Sequence, residues 1–273
     1  MRLGNLAAGL AAAVMLAAPS AAAPLAAYGK LPTIEAGAVS PNGKYVAVVT
    51  TQGQNHQITF VEIATGRSAS KGDIATAEVK VRDLRWAGDT HLLMTTSKTD
   101  RFSYFGSPKA EFLIGYNVDL TTMKMAQIVP AGRGFTSLSA IASIPIVRQV
   151  AGKPMIFVQG PILENGGALA LFRVDPETTR SELIEPGEPD TVDWIVGGEG
   201  QAVGQELYND RSTRWRLKMH LGSGGWREAQ TATTGQRIPF TMGLGRDGKS
   251  VLYAIFADGH WSWREAAPDG AAG

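Results

Sequence analysis

The chain is patterned as short apolar or alternating runs separated by turns rich in Gly, Asp, Asn and Pro. Few long stretches carry apolar residues at the spacing of an amphipathic helix. Short alternating runs bounded by such turns are typical of β-strands joined by tight connections. The turn Ser40–Lys44, followed by the run Tyr45–Val49, shows the pattern clearly. It predicts an all-β body.

This turn-and-strand pattern recurs. Its turn glycines are Gly43, Gly88, Gly152, Gly200 and Gly248, which lie 45, 64, 48 and 48 residues apart. Each unit then carries a second alternating strand that runs into a polar turn, at 59–63, 113–119, 169–175, 215–221 and 261–264. Two turns and several strands in about 45 to 48 residues is the size of one four-stranded propeller blade. The long second spacing predicts an insertion around Gly132–Pro145.

We therefore predict an all-β fold, a β-propeller of about five recognisable blade units over residues 39–273, in an incomplete ring. Its blades are expected to be consecutive antiparallel sheets arranged radially, because a blade cannot bury both faces without neighbours. A β-sandwich, or a pair of small β domains, is the alternative.

Composition narrows the function classes. A hydrophobic content of 44% excludes a wholly disordered chain. The near balance of 26 Lys and Arg against 25 Asp and Glu argues against binding to nucleic acid or to an acidic membrane surface. The absence of Cys excludes disulfides, thiolate metal sites, a Cys nucleophile and a lipidated N-terminal Cys.

The first residues have the pattern of a signal peptide. Arg2 precedes the uncharged stretch Leu3–Ala18, and small residues follow at Ala21–Ala23. We predict a signal peptide over residues 1–22, a lead-in segment over 23–38, and a periplasmic or secreted bacterial protein without a stable membrane span after cleavage. The alternative is an uncleaved membrane anchor.

Three segments carry a family resemblance. Tyr28–Pro32 with Ile34 looks like a lead-in to a first blade, Ala38–Ala47 is similar to a Ser-Pro-Asp-Gly turn and its strand, and Leu84–Asp89 looks like the next blade's entry. Together they resemble the N-terminal β-propeller region of bacterial prolyl oligopeptidase-like serine peptidases, the dipeptidyl and acylaminoacyl peptidase group. Other periplasmic propellers use the same turn. The resemblance implies a propeller that gates or binds peptide substrate, with a peptide or an α/β-hydrolase domain as partner.

The chain departs from that family in its chemistry. It has no G-x-S-x-G nucleophile elbow, and both Gly106–Pro108 and Gly222–Gly225 fail the pattern. No catalytic residue is therefore carried over, and the chain alone is predicted to be inactive. The alternatives are a free-standing periplasmic propeller acting as a protein-interaction scaffold, and an enzyme with a site in the propeller's mouth.

Two short motifs invite a chemical reading. Gly243–Ser250 satisfies the phosphate-loop pattern G-x-x-x-x-G-K-[ST]. A phosphate-binding loop of this kind is followed directly by a helix, whereas the composition of Val251–Phe256 is typical of a strand. Gly243–Ser250 is interpreted as a blade turn. Ser68–Lys71 fits S-x-x-K without the companion K-T-G.

The remaining candidates are scattered along the chain. The histidines His56, His91, His220 and His260 have no metal-ligand spacing, and each is expected on a solvent-facing strand or turn. The carboxylates stand mostly at strand ends: Glu62, Asp83, Asp119, Asp175 and Glu206. The tryptophans Trp215, Trp226, Trp261 and Trp263 could form a sugar-stacking platform, but we expect them to pack between sheets. We assign no catalytic, cofactor-binding or metal-binding residue and no cofactor.

Overall fold

Strands and turns make up the described part of the chain. The computed structural model describes residues 34–52, 55–68, 74–75, 80–100, 109–132, 138–163, 167–222, 224–235 and 237–268. Within these residues there is no helix, so none is long and apolar enough to span a membrane. The prediction of an all-β body is confirmed for the described residues.

The strands form five antiparallel sheets, each built from consecutive strands. The first sheet holds β1 (Ile34–Val39), β2 (Tyr45–Gln52), β3 (Asn55–Glu62) and β4 (Ile74–Ala75). The second holds β5 (Lys80–Ala87), β6 (His91–Asp100), β7 (Ala110–Asp119) and β8 (Lys124–Ile128). The third holds β9 (Ile146–Val150), β10 (Lys153–Ile162), β11 (Ala168–Val174) and β12 (Ser181–Glu185). The fourth holds β13 (Thr191–Val196), β14 (Ala202–Asn209), β15 (Arg214–His220) and β16 (Trp226–Thr233). The fifth holds β17 (Phe240–Leu244), β18 (Val251–Ala257) and β19 (His260–Ala266).

The sequence repeat coincides with these sheets. The five turn glycines each lie in the hairpin between the first and second strands of one sheet, and each has a positive φ, from 68° at Gly43 to 84° at Gly200. Glycine adopts this left-handed conformation without the steric cost that a Cβ brings. The five alternating runs of the second signature lie in the third strands: β3, β7, β11, β15 and β19.

The core is divided among the spaces between consecutive sheets. Four clusters of buried apolar side chains join the first sheet to the second, the second to the third, the third to the fourth and the fourth to the fifth. In the last of these, Trp215 and Leu217 of the fourth sheet pack with Tyr253 of the fifth. Face-to-face packing of small antiparallel sheets in chain order fits a propeller-like fold.

The first hairpins of neighbouring sheets meet at one end of the molecule. The Asn42 amide donates to Asp89 Oδ1 at 3.0 Å, which links the first two sheets. The Gly198 amide donates to the Gly248 carbonyl at 3.1 Å, which links the last two. These contacts make the hairpin end a continuous surface between neighbouring sheets.

Two boundaries follow from the strand positions. The first sheet begins at Ile34, inside the segment 23–38 that the sequence predicts as a lead-in, because β1 pairs with β2 from Ile34↔Thr50 to Val39↔Val46. The predicted insertion falls in the connection between β8 and β9, where buried Ile141 donates its amide to the Leu113 carbonyl at 3.0 Å. The prediction of an incomplete ring stays a prediction.

Candidate functional site

The phosphate-loop match lies in the hairpin between β17 and β18, and it leads into a strand. The Asp247 carboxylate occupies the donors that an anion would need: its Oδ1 accepts from Ser250 Oγ at 2.6 Å, the Ser250 amide at 2.7 Å and the Lys249 amide at 2.9 Å. These hydrogen bonds lower the pKa of Asp247 to about 2. The Asp247 carboxylate therefore takes the place that a bound phosphate would occupy in this turn.

The four histidines lie in different surroundings. His260 is exposed at the start of β19, with Nδ1 3.2 Å from the Asp258 carbonyl, as expected. His56 Nδ1 lies 3.0 Å from a Glu35 carboxylate oxygen. The expectation of a solvent-facing position is wrong for His91, which is 3% exposed. Its Nδ1 lies 3.1 Å from the Thr90 hydroxyl, so a neighbouring polar group satisfies the buried ring.

The five carboxylates singled out in the sequence do not form one site. Glu62, Asp119 and Asp175 accept hydrogen bonds from nearby turn residues, and Asp83 pairs with Arg85 at 2.6 Å. Among the described residues no group of three or more His, Asp or Glu is placed to hold a metal ion. Most of these carboxylates therefore stabilise turns and strand ends.

Glu206 is the exception, because it is buried and joins two sheets. It is 6% exposed, and its Oε1 accepts from Trp215 Nε1 at 2.7 Å. Its Oε2 accepts from the Thr241 amide at 3.0 Å and from Thr241 Oγ1 at 2.5 Å. Because Thr241 belongs to β17 and Glu206 to β14, this carboxylate fastens the fifth sheet to the fourth.

The tryptophans divide into an inner and an outer pair. Trp215 is fully buried and stacks on Tyr253 with 5.8 Å between ring centroids, and Trp226 packs edge-on against Trp194 at 5.4 Å. Trp261 and Trp263 are 40% and 74% exposed. The expectation of packing between sheets is wrong for the outer pair, because they lie on the face of the fifth sheet that points away from the fourth.

A cleft of about 440 Å³ opens at the hairpin end, between the fourth and fifth sheets. Glu199 and Gln201 come from the β13–β14 hairpin, and Lys249 comes from the β17–β18 hairpin. The cleft is completed by Val203, His220, Gly222 and Pro268. The repeat itself builds this site, because equivalent hairpins of neighbouring sheets are brought side by side.

The cleft combines charges of both signs with buried polar atoms that make no described hydrogen bond. Glu199 and Lys249 place an anion and a cation on its two walls. Gln201 Oε1 is buried and has no hydrogen-bond partner among the described residues, and neither has Arg227 Nε, whose guanidinium donates to the Pro268 carbonyl at 3.3 Å. Gln201 itself lines the cleft, whereas Arg227 is linked to it through Pro268. A buried acceptor without a partner is costly, so Gln201 Oε1 favours a polar ligand there.

The third sheet contributes a carboxylate next to this cleft. Burial raises the pKa of Glu185, although nearby His220 and a hydrogen bond from Trp226 act in the opposite direction. His220, which lines the cleft, packs edge-on against Trp226 at 5.1 Å. Glu185, His220 and Trp226 therefore form a polar and aromatic wall.

Sequence reasoning missed most of this site. It named His220, but Glu185, Glu199, Gln201 and Lys249 were not singled out as binding residues. For Glu199, Gln201 and Lys249 the signal that was present is their position next to the repeating turn glycines Gly200 and Gly248, whereas Glu185 had no such signal. Residues Ala69–Lys71 of the S-x-x-K match, and Gly106–Pro108, lie outside the described residues.

Comparisons with known proteins agree on the fold. No family model matches the chain, and no curated protein matches it. A solved structure described as the eukaryotic initiation factor aligns with 89% of this chain and 54% of its own, at 15% identity and a TM-score of 0.51. An oligogalacturonate lyase in complex with manganese aligns with 89% of this chain and 65% of its own, at 13% identity and a TM-score of 0.50.

A peptidase is also among the structural neighbours. The acylaminoacyl peptidase of Pyrococcus horikoshii aligns with 89% of this chain and 38% of its own, at 12% identity and a TM-score of 0.46. The neighbours are propeller domains of such peptidases and related propellers. This chain spans less than two thirds of the length of each of these three proteins. The likeness to the initiation factor and to the lyase supports the fold alone.

Proposed function

We propose that this chain is a propeller-like module that binds peptide and holds no catalytic triad. The observation that carries the proposal is the cleft between the fourth and fifth sheets, where Glu199 and Lys249 stand beside Gln201, whose buried Oε1 has no partner among the described residues. A short peptide supplies complementary groups: an ammonium, a carboxylate, amide N–H donors and carbonyl acceptors. The resemblance to prolyl oligopeptidase-like peptidases implies the same ligand class.

The role that this resemblance implies is gating or binding peptide for a hydrolase domain. The chain would deliver or restrict substrate, and the acyl transfer would take place on that partner. Two of the four histidines have surroundings that are in keeping with a non-catalytic role. Where His91 and His260 make described hydrogen bonds, their partners are a threonine hydroxyl and a backbone carbonyl, whereas a serine nucleophile needs an adjacent imidazole base.

Calorimetric titration with the tetrapeptide Ala-Ala-Pro-Ala tests the binding site. The peptide with free termini is expected to bind, and Glu199→Gln and Lys249→Gln each remove one charge contact of about 1 kcal/mol, which weakens binding about fivefold. The acetylated and amidated peptide should lose this dependence on both residues. Lys124→Gln, at the start of β8, is the matched control and should leave binding unchanged.

Two results would contradict the proposal. One is the absence of binding to the wild-type chain at about 5 mM peptide, where a Kd of about 1 mM would still fill roughly four fifths of the sites. The other is binding that neither cleft variant alters. In the same preparation a serine-directed fluorophosphonate probe should label no residue, and stoichiometric labelling that is lost on unfolding would show a catalytic serine.

Two further parts of the proposal concern the whole protein. We infer an exported, periplasmic or secreted chain from residues 1–22, and mass spectrometry of the mature N-terminus after expression in a bacterium checks it. We also infer an incomplete ring of about five blades. A protein-interaction scaffold is the second candidate function, because the outer face of the fifth sheet is apolar and exposed.

A further inference from the structure

The fifth sheet has one covered face and one uncovered face. Val251, Tyr253 and Ile255 of β18 point into the core shared with the fourth sheet. On the opposite face five large apolar side chains are each at least 38% exposed. These five define the outer face of the fifth sheet: Phe240, Met242, Leu252, Trp261 and Trp263.

The outer face is one continuous surface. Phe240, Ala254 and Trp263 lie in register across the three strands. The Trp261 ring packs edge-on against Phe240 at 5.5 Å and against Phe256 at 5.6 Å. An ordered aromatic surface of this kind is uncommon on a soluble chain unless another surface covers it.

The first sheet carries an uncovered counterpart. Its side chains Ala47, Val49, Ile58 and Phe60 face the second sheet. On the opposite face Val39, Val46 and Val61 lie in register across the first three strands; Val39 is 60% exposed, and the other two are half-buried. The same face also carries the paired polar residues Thr50 and Gln57. These three valines define the outer face of the first sheet.

In chain order, the described sheets therefore begin with a partly apolar face on the first sheet and finish with an apolar face on the fifth. We call the face of a sheet that points toward the next sheet in the chain its forward face, and the opposite face its rear face. Each of the four clusters inside the chain joins the forward face of one sheet to the rear face of the next. The outer face of the fifth sheet is a forward face, and that of the first sheet is a rear face. We propose that the fifth sheet of one copy packs on the first sheet of a second copy, which continues the packing already present within the chain.

The size of the contact sets its strength. Three strands about 4.8 Å apart, with five to seven residues at about 3.3 Å each, give a face of roughly 300 Å². Stable complexes bury about 800 Å² per partner, so the association is weak and depends on concentration. Because the two faces differ, the contact is heterologous and adds copies one after another instead of stopping at a symmetric dimer.

Sedimentation velocity of the chain at about 5 to 500 µM tests the proposal, a range in which weak association shifts the populations. The weight-average mass of the wild type should rise with concentration. Trp263→Lys blocks the forward face and Val39→Lys blocks the rear face, and each should weaken association at least about tenfold. Met125→Lys is the matched control, because Met125 is 45% exposed on β8 in the second sheet and should associate like the wild type.

An equimolar mixture of Trp263→Lys and Val39→Lys distinguishes this contact from other modes of association. The first variant keeps its rear face and the second its forward face, so the mixture should form a one-to-one dimer and nothing larger. Association of Val39→Lys alone at wild-type strength would instead show pairing of two fifth sheets. A wild type that stays monomeric throughout would show that the ring closes on itself or that nothing binds there, and either result overturns the proposal.

Folding and peptide binding serve as independent checks. Trp263 and Val39 are 74% and 60% exposed, so both variants should keep the wild-type circular dichroism spectrum and melting temperature. The inference does not rest on the cleft. Both variants should therefore bind Ala-Ala-Pro-Ala like the wild type.

Discussion

Replacing Glu206 by Gln tests whether one carboxylate fastens the fourth and fifth sheets together. Both carboxylate oxygens face N–H donors that cannot turn into acceptors: the Trp215 indole at 2.7 Å and the Thr241 amide at 3.0 Å. The glutamine amide has the same shape, but one of its two ends is an NH₂ donor. Whichever way it is turned, a donor meets a donor in a site that is 6% exposed.

The expected loss of stability is about 2 to 4 kcal/mol. A hydrogen bond to a charged group contributes roughly 1.5 to 3 kcal/mol, and a buried donor left without an acceptor costs roughly 1 to 3 kcal/mol. Relief of the buried charge offsets part of this cost. Urea unfolding at pH 7, followed by tryptophan fluorescence and circular dichroism, measures the difference.

Glu182→Gln is the matched control for this variant. The Glu182 side chain is 61% exposed and pairs with Arg173 at 2.6 Å on the surface. Loss of an exposed ion pair costs at most about 1 kcal/mol. A loss below about 1 kcal/mol for Glu206→Gln, no larger than in the control, would refute the reasoning.

The remaining predictions concern a glycine and acid stability. Gly200→Ala should cost roughly 2 to 4 kcal/mol, since φ is +84° and a Cβ would lie 2.6 Å from Val150 Cγ2 and 2.7 Å from Phe157 Cζ. Gly224→Ala, with φ +93° and no described atom within 4 Å, should cost about 1 to 2 kcal/mol, and equal melting temperatures for the two would contradict the steric argument. Burial alone would raise the pKa of Asp119, but hydrogen bonds from Thr121 and Thr122 outweigh it and lower the pKa to about 2, from an ordinary value of 3.8. The folded-state pKa is thus the lower one, so stability present above about pH 4 is lost as the pH falls toward 2, by on the order of 1 to 2 kcal/mol after solvent screening. Asp119→Asn should lack this part of the acid transition, so its urea midpoint should fall less between pH 5 and 2.5 than the midpoint of the wild type. An equal fall in the two proteins would contradict the prediction.

Most of the fold could be predicted from the repeat in the sequence. A glycine at positive φ in each first hairpin is a strictly local requirement, so Gly43, Gly88, Gly152, Gly200 and Gly248 could be found without knowing any tertiary contact. Alternation along β15 is local in the same way. The start of the first sheet at Ile34 was harder to find, because β1 is defined by its pairing with β2, and its own pattern is only weakly alternating.

The site could not be predicted in the same way, because it depends on distances in space between residues that are far apart in the sequence. Glu206 lies 35 residues from Thr241, and sequence marked it only as one scattered carboxylate. Lys249 appeared in a phosphate-loop match, but its neighbour across the cleft is Glu199, on another hairpin. The outward position of Trp263 also depends on what lies beside the fifth sheet, which alternation within β19 cannot reveal.

The two proposals share one physical origin. Inside the chain, polar groups between sheets find partners, as when Trp86 donates to the Ala38 carbonyl at 2.9 Å and Trp194 to the Leu169 carbonyl at 2.7 Å. Apolar faces likewise find neighbouring sheets. Both kinds of departure occur at the fourth and fifth sheets, where Gln201 Oε1 lacks a partner among the described residues and Trp263 is exposed. Elsewhere they occur singly, as at Asn117 Oδ1 in the second sheet and at Val39 in the first. Because departures from local consistency are expected where a protein binds something else, both departures are in keeping with the two proposals made above.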